Sequence, residues 1–362
     1  MRQEVVERRK WVEEAHFLDM VSAVNFSPGP NATELAIHVG QLRAGVRGLV
    51  VAGTCFLVPA MLICIPLAWA YVTWGALPQA LPIVRAIGAA VVAVVSMATY
   101  RFGRAAIRGF FSIVLAIGAS LAAFAAPRYI RIQPEIPVLM VSALLGALLR
   151  HWRGHGTKTL AFGLPVLFWG DLGRAAVRML KIGATLFGSG YVLISYLQSE
   201  FVDRSGWLTQ QQLLDTIAVG QFTPGPLLSS ATFLGYVLGH LRFGGGVAGG
   251  VIAAVLATIA IFLPSFILVA ILGPLLQRVR SLGWARGALD AMNAAVVGLM
   301  AAAAVRLGIS ALKIPDAARL DYINILIFLG TLVGMRAKVN PTWLIIAAAC
   351  VGTLLMLFGI VT

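Results

Sequence analysis

Two polar, helix-breaking hexamers interrupt an otherwise apolar chain, and they constrain its fold more than any other feature. They are Asn25-Phe26-Ser27-Pro28-Gly29-Pro30 and Gln221-Phe222-Thr223-Pro224-Gly225-Pro226. Their flanks align at the same offset, so that Trp11 matches Trp207. The chain is therefore a duplication, and each half carries one copy of the hexamer.

In each copy the second proline stands just before a predicted helix, over Asn31–Gln41 in the first half and Leu227–His240 in the second. Proline suits the first turn of a helix, because its missing N–H would have no intrahelical partner there. A preceding glycine has no Cβ, so backbone N–H groups can approach a ligand closely. A helix start of this kind carries partial positive charge and free donors, and it favours an anion.

The composition places these helices in a membrane. Of the 362 residues, 59% are hydrophobic and 12% are charged, with a mean hydropathy of +0.90. A soluble domain has about 25% charged residues. Several apolar runs reach the roughly 20 residues that cross a bilayer as a helix. The predicted spans cover residues 48–72, 80–98, 106–126, 136–149, 182–199, 246–272, 288–312, 321–335 and 341–361.

The net charge of +14 does not indicate nucleic acid, because most basic residues lie in short loops between apolar runs. That pattern follows the positive-inside rule. It places the N-terminal segment and residues 150–181 on the cytoplasmic side, and Arg204 and Arg242 on the other. An apolar insert at 160–169 is too short to span and is predicted to be interfacial. The three cysteines lie in apolar runs without metal-ligand spacing, which indicates small buried side chains.

The predicted fold is an all-α integral membrane protein with two inverted-topology homologous halves, each with a Pro-Gly-Pro broken-helix hairpin. The first half covers residues 1–149, a basic cytoplasmic linker covers 150–181, and the second half covers 182–362. A half with an odd number of crossings inverts the next one, and inverted repeats with broken helices are typical of secondary transporters. A span precedes Trp207 but only ten residues precede Trp11, so we expect the first half to lack its opening helix. A duplicated scaffold without transport is the alternative.

Several ordered motifs carry a resemblance to a known family. They are Gln221–Pro226, Ala231–Tyr236 and Ile261–Phe266 in the second half, and Ser27–Pro30 and Phe56–Ala60 in the first. On these motifs the chain resembles the chromate ion transporter family, in its long two-half form. The stretch from Leu186 to Val192 is similar to the family's glycine-rich opening helix, with Ser189 where glycine is usual.

The resemblance implies a secondary transporter of an inorganic oxyanion, with chromate efflux across the bacterial inner membrane by a multi-pass protein. A carrier of sulfate or another anion, and a non-transporting membrane subunit, are the alternatives. The expected partners are a small inorganic anion, chromate or sulfate, and the lipid bilayer. The sequence has no enzyme motif and indicates no cofactor, metal or nucleic acid. It leaves the oligomeric state open, a homodimer included.

The candidate substrate-binding residues supply hydrogen-bond donors at the two hairpins, together with one intramembrane cation. They are Asn25, Ser27, Gly29, Asn31, Gln221, Thr223, Gly225, Leu227, Ser229, Ser189 and Arg306. The alternative for the hairpin residues is a re-entrant turn whose polar groups cap its own ends. For Ser189 the alternative is a small-residue patch for close helix packing.

Three ionisable residues bear on coupling and charge. Asp19 and Asp215 occupy equivalent places in the repeat and are candidates for proton coupling, unless they face water on amphipathic helices. Arg306 lies well inside a predicted span and could attract the anion or pair with an acid. Asp290 on the same predicted helix lies roughly 24 Å away and is not its direct partner.

Overall fold

The computed structural model describes residues 3–14, 17, 20–21, 24, 29–74, 81–129, 135–151, 170–187, 190–280, 283–312 and 321–358. Regular structure in these ranges is helical, without a strand. The α-helices, in chain order, are α1 Asn31–Trp74, α2 Leu81–Ala106, α3 Phe110–Tyr129, α4 Glu135–His151, α5 Gly170–Thr185, α6 Val192–Leu197, α7 Gln210–Phe222, α8 Ser230–Val237, α9 Gly246–Arg280, α10 Gly283–Leu312, α11 Tyr322–Arg336 and α12 Pro341–Leu357. Single π-helical turns cover Gln3–Arg8, Gln198–Asp203 and Leu238–Arg242, and a 3₁₀ turn covers Leu227–Ser229.

Four of these helices, α1, α2, α9 and α10, are long and apolar enough to cross a membrane, and shorter apolar helices lie in α3, α4, α11 and α12. Large apolar side chains on α3 point outward, including Phe110, Ile117 and Leu121. Such a surface suits lipid and not water. The all-α membrane fold and the helices predicted at 48–149 and 246–361 are confirmed.

Helix α1 is interrupted near its first third. Ala44 and Gly45 have non-helical backbone angles, with φ of −144° and 58°. Glycine adopts the positive φ without a Cβ penalty. Residues before this break complete the first hairpin, and residues after it form a separate apolar crossing.

The entry to each hairpin has the same backbone geometry. The Trp11 N–H donates to the Val5 carbonyl at 2.8 Å, and the Trp207 N–H donates to the Phe201 carbonyl at 2.9 Å. The π-helical turn Gln3–Arg8 thus corresponds to Gln198–Asp203. Within the described residues, nothing in the first half corresponds to α5.

The two hairpins begin at opposite ends of the molecule. The Arg43 guanidinium lies 4.6 Å from the Trp11 ring centroid. Further along α1, the Tyr71 hydroxyl donates to Asp215 Oδ2 at 2.7 Å, in the first half of α7. From Val46, just past the break, to Tyr71 the helix extends by roughly 38 Å at 1.5 Å per residue, which exceeds the roughly 30 Å hydrocarbon core. Helix α1 therefore runs across the membrane from one hairpin entry to the other.

The equivalent long helices of the two halves run antiparallel. Leu49 of α1 packs with Val269 of α9, and Gly53 of α1 faces the ring of Phe266 of α9. Residue numbers therefore rise along α1 as they fall along α9. An antiparallel pair of equivalent crossings is what inverted halves require.

The structure corrects the single span predicted over 182–199. Lys181 Nζ lies 3.3 Å from Glu200 Oε1, and Arg204 Nη1 lies 3.5 Å from the same atom. Lys181 and Glu200 are therefore at the same end of the molecule, and α5 and α6 form a hairpin whose tip is near Gly190. An apolar run of this length can make one crossing or two half-crossings, and hydropathy alone does not separate them. Lys181 thus lies on the side of Arg204, contrary to the sequence prediction; the insert at 160–169 lies outside the described residues.

Small residues let the core helices approach closely. Gly183 of α5 packs against the Ile261 carbonyl of α9, and Gly298 of α10 packs against the Ala116 carbonyl of α3. Glycine and alanine at such crossings allow backbone contact between membrane helices. The resulting core brings the tips of the hairpins together in the interior.

Candidate functional site

The tip of the first hairpin contacts the tip of the α5–α6 hairpin. The Gly29 N–H donates to the Leu186 carbonyl at 2.7 Å. Gly29 has a φ of 153°, which L side chains rarely adopt. Asn25 and Ser27 lie outside the described residues, and Asn31 begins α1 with an exposed side chain. The predicted helix start after Pro30 is confirmed.

The tip of the second hairpin reaches the same region from the other side. Gly225 has a φ of 152°, almost equal to that of Gly29. A Cβ on Gly190, at the α5–α6 tip, would lie 3.8 Å from the Leu227 Cβ. The α5–α6 tip therefore lies between the two hairpin tips. Ser189 lies outside the described residues.

The second tip does not continue directly into an α-helix, as the sequence predicted for Leu227–His240. After Pro226 the chain enters the 3₁₀ turn Leu227–Ser229. The Ser230 hydroxyl, just after this turn, donates to the Leu227 carbonyl at 2.7 Å. Only then does α8 begin, and it ends in the π-helical turn. The two halves thus differ at the position where each helix starts.

Each hairpin glycine faces the long helix of the opposite half. The residue that it faces comes directly after a proline of that helix. A Cβ on Gly225 would lie 3.0 Å from the Ala60 Cβ, and a Cβ on Gly29 would collide with the Ser265 hydroxyl. Ala60 follows Pro59 in α1, and Ser265 follows Pro264 in α9. The site is therefore built reciprocally, and one side carries a methyl group where the other carries a hydroxyl.

Side chains at the second tip are polar and mostly engaged. The Thr223 hydroxyl donates to the Val219 carbonyl at 2.8 Å and lies 3.2 Å from the Cys64 thiol. The Ser229 hydroxyl is buried and, among the described residues, has no hydrogen-bond partner. The Gln221 side-chain nitrogen also has no described partner. Ser229 and Gln221 therefore offer donors, whereas the Thr223 hydroxyl already has a carbonyl to bond.

Polar side chains of the first tip come from the first turn of α1 and from α9. Thr33, Glu34 and Ser265 are fully buried, each with 0% exposure. The hydroxyls of Thr33 and Ser265 have no hydrogen-bond partner among the described residues. The Glu34 carboxyl lies, like the Ser265 hydroxyl, on the side of Gly29 where a Cβ would project. One buried donor, the Ser265 hydroxyl, and the Glu34 carboxyl thus meet at a single glycine, and Thr33 precedes Glu34 in the same helical turn.

Asp215 is a buried carboxyl next to the second hairpin. Besides the Tyr71 bond, it accepts from Gln211 Nε2 at 3.1 Å. No lysine or arginine of the described ranges lies within salt-bridge distance of it. A buried carboxyl held by neutral donors can gain and lose a proton at lower cost than one fixed by a cation. Its repeat equivalent, Asp19, lies outside the described residues.

Arg306 lies away from the hairpin tips. Its guanidinium forms an ion pair with Asp203, donates from Nη2 to the Ala123 carbonyl at 2.6 Å and lies 5.3 Å from the Phe124 ring. The helical stretch from Gly190 to Asp203 spans roughly 20 Å. Asp203 is therefore far from the α5–α6 tip and close to the entry of the second hairpin. Arg306, which pairs with it, lies at that same depth.

A charge cluster missed by the sequence interpretation surrounds Glu200, which is 1% exposed. Its carboxylate contacts Arg178, Lys181 and Arg204 at 3.3 to 3.7 Å. Arg178 also stacks over the Trp207 ring at 4.2 Å. This cluster fastens α5 to the entry of the second hairpin. Within the described residues, no group of histidine, cysteine and acidic side chains is arranged to hold a metal ion.

The sequence matches the family described as Chromate transporter over residues 1–149 and 174–353. The chain belongs to this family. Membership confirms the predicted resemblance and makes the protein a multi-pass membrane ion transporter with two halves.

Individual relatives agree with this assignment. The chain is 30% identical to the "Chromate transport protein" of Pseudomonas aeruginosa, over 98% of this chain and 86% of the relative. It is 28% identical to the "Probable chromate transport protein" of Synechococcus elongatus, over 85% of this chain and 78% of the relative. It is 27% identical to the "Chromate transport protein" of Cupriavidus metallidurans, over 84% of this chain and 76% of the relative. No solved structure matches the chain.

Ser265 and Cys64 were missed as site candidates because each stands alone among apolar neighbours, and Thr33 was missed although Asn31 and Glu34 flank it. The available signal was the Pro59-Ala60 and Pro264-Ser265 correspondence. It marks equivalent positions, but only the contact between halves shows that they face the hairpin glycines.

Proposed function

We propose that the protein exports chromate across the bacterial plasma membrane, as a secondary transporter that holds the anion between its two hairpin tips. The names of its relatives support chromate as the substrate, with sulfate as the rival because it has the same tetrahedral shape. The two halves rock around the anion and expose it to each side in turn, as inverted-repeat carriers do.

One observation carries this proposal. The Gly29 N–H donates to Leu186 at 2.7 Å, and Gly190 of the same tip faces Leu227 of the other hairpin. Hairpins that begin at opposite ends thus converge on one interior region. An anion held between such tips would be closed off from each side by a different half, which alternating access requires.

The chemistry of that region suits an oxyanion. Buried hydroxyls of Thr33, Ser229 and Ser265 lie there without described partners, and α1 starts there with Asn31. Hydrogen-bond donors and a helix start favour an anion without the strong attraction of a fixed cation. A carrier needs this balance, because its substrate has to leave.

Asp215 is the proposed proton carrier. It lies on α7, which leads to the Thr223 tip, and it contacts Tyr71 on the long helix of the opposite half. Protonation of Asp215 would change a bond that joins the two halves. The proton gradient would thereby bias which side the site faces.

The test is flux through the purified full chain in proteoliposomes, with radiolabelled chromate and radiolabelled sulfate. We expect saturable chromate flux that a proton gradient accelerates. Thr223→Leu, which puts a bulky apolar side chain at the tip, should abolish flux. The matched control is Thr353→Leu on the exposed face of α12, where the hydroxyl makes the same kind of bond to a carbonyl, Ala349. Absence of flux for both anions in the unmodified protein would refute the function, and equal flux in Thr223→Leu would refute the site.

A further inference from the structure

The two hairpin tips are not chemically equivalent, and the difference is concentrated around Gly29. The Ser265 hydroxyl and the Glu34 carboxyl lie on the side of Gly29 where a Cβ would project. On the equivalent side of Gly225 lies the methyl group of Ala60. The first tip therefore has a donor and an acceptor where the second has neither.

The donors at the first tip have unused hydrogen-bonding capacity. Ser265 and Thr33 are each 0% exposed, and their hydroxyls have no partner among the described residues. A buried hydroxyl without a partner destabilises the fold, because it has lost its hydrogen bonds to water and gained none in return. Both groups therefore indicate that something else bonds to them during the working cycle.

The same tip has a helix start that a solute can reach. Helix α1 begins at Asn31, and the side chains of Asn31 and Ala32 are exposed. The first N–H groups of a long helix carry partial positive charge and have no intrahelical acceptor. Together with the two hydroxyls, these groups could donate to several oxygens of one tetrahedral anion.

The Glu34 carboxyl sets a condition on which anion fits. An ionised carboxylate repels a fully deprotonated dianion held against it. It accepts a hydrogen bond, however, from an oxyanion that still carries a proton on one oxygen. A carboxylate has about four acceptor positions, so bonds to other groups leave room for this one.

We propose that Glu34, Ser265 and Thr33 select an oxyanion in its monoprotonated form, with Glu34 accepting from the anion's O–H and the hydroxyls donating to its other oxygens. This assignment rests on the proposed function and adds the substrate's protonation state to it. Chromate takes up a proton near neutral pH, whereas sulfate does so only in strong acid. The site therefore accepts hydrogen chromate and rejects sulfate.

Other groups around Glu34 do not supply the same discrimination. His38, one helical turn further along α1, is the titratable neighbour on the same helix and is 7% exposed. From α9, Ser265 lies beside Glu34 at Gly29, and Phe266 and Val269 pack against other turns of α1. None of these three side chains titrates. The turn at the N terminus contributes apolar Val5 to the cluster beneath this end of α1. A His38→Gln variant therefore serves as the control for a histidine effect.

The experiment measures chromate and sulfate flux through the full chain in proteoliposomes, at pH values on either side of neutral. In the unmodified protein, the chromate KM calculated on total chromate should rise as the pH rises, and sulfate should remain a poor substrate throughout. Glu34→Gln removes the charge but keeps the shape, and it should raise the sulfate-to-chromate flux ratio about tenfold or more. His38→Gln should leave that ratio unchanged.

Ser265 is tested separately, against a hydroxyl outside the site. Ser265→Ala should raise the chromate KM about tenfold, the value of one hydrogen bond to a charged group. Thr353→Val removes a hydroxyl from the exposed face of α12, far from both tips, and should leave the chromate KM unchanged. Size-exclusion profiles in one detergent verify that each variant is folded.

Four results separate the possible failures. If Glu34→Gln leaves the flux ratio unchanged, or Ser265→Ala leaves the KM unchanged, the protonated-anion site is refuted while the transport function stands. If Glu34→Gln does not fold, the pH series on the unmodified protein decides, because equal transport of sulfate and chromate refutes the site. If no oxyanion is transported at all, the proposed function itself fails.

Discussion

Glu200→Ala gives the sharpest test of the α5–α6 hairpin, because the repeat supplies its own control. Glu200 is 1% exposed and is contacted by Arg178, Lys181 and Arg204, whose side chains are 22%, 38% and 49% exposed. Its equivalent in the first half is Glu4, which is 44% exposed and pairs with neighbours in its own turn. The same substitution is thus made once in a buried cluster and once on a surface.

The magnitude follows from that difference in burial. Removing one partner of a fully buried ion pair costs about 3 to 5 kcal/mol. Lys181 and Arg204 are partly solvated, and Arg178 keeps its bond to the Glu200 backbone carbonyl at 3.1 Å. We therefore expect Glu200→Ala to lower the free energy of unfolding by about 2 to 3 kcal/mol. Glu4→Ala should have little effect, because exposed pairs contribute little.

The assay is equilibrium unfolding of the purified chain in mixed micelles, with one fluorescence probe and one circular dichroism probe. High salt should narrow the difference between the variants only slightly, because a buried cluster is poorly screened. Equal destabilisation by Glu4→Ala and Glu200→Ala would refute the buried cluster. It would also remove the main reason for placing Lys181 and Glu200 at one end of the molecule.

Three further outcomes are expected at other positions. Asp215→Asn should abolish the acceleration of chromate flux by a proton gradient, and Tyr71→Phe should weaken it; full acceleration in both would exclude this carboxyl as the proton carrier. Bound chromate should slow alkylation of the buried Cys64 thiol by a small maleimide, measured by mass spectrometry, and unchanged kinetics would place the anion elsewhere. Arg306→Met should leave the chromate KM unchanged but reduce stability by roughly 2 kcal/mol, because Asp203 loses its cation and keeps only the hydrogen bond from the Gln198 amide; a large rise in KM would return Arg306 to the binding site.

The duplication was predictable because the same motifs recur in the sequence at the same spacing. Trp11 and Trp207, and the two Pro-Gly-Pro hexamers, align without any knowledge of contacts. Their backbone geometry repeats as well, with φ of 153° at Gly29 and 152° at Gly225. Local sequence determines local conformation strongly in this motif, because proline fixes its own φ and only glycine adopts a φ near 150° without a Cβ penalty.

The partners of charged residues were not predictable in the same way. Arg306 pairs with Asp203 on another helix, and Glu200 collects cations from both sides of an apolar run. Hydropathy gives the length of an apolar run but not whether the chain turns back inside it. The resulting error at 182–199 moved Lys181 to the wrong side of the membrane.

The chemical difference between the two hairpin tips was predictable only in part. Ala60 and Ser265 are visible as equivalents because each follows a proline in a similar motif. Their role depends on each long helix crossing to the hairpin of the other half, which brings Ser265 to Gly29. A single serine in an apolar helix has many structural uses, so only this contact marks it as a candidate ligand.

An electron cryo-microscopy map of the full chain, saturated with chromate, addresses the central claim most directly. Density for a tetrahedral anion should lie between Gly29 and Gly225, within hydrogen-bond distance of the Ser265 hydroxyl. An anion bound instead among Arg178, Lys181 and Arg204, with the two tips packed against each other and empty, would contradict the account.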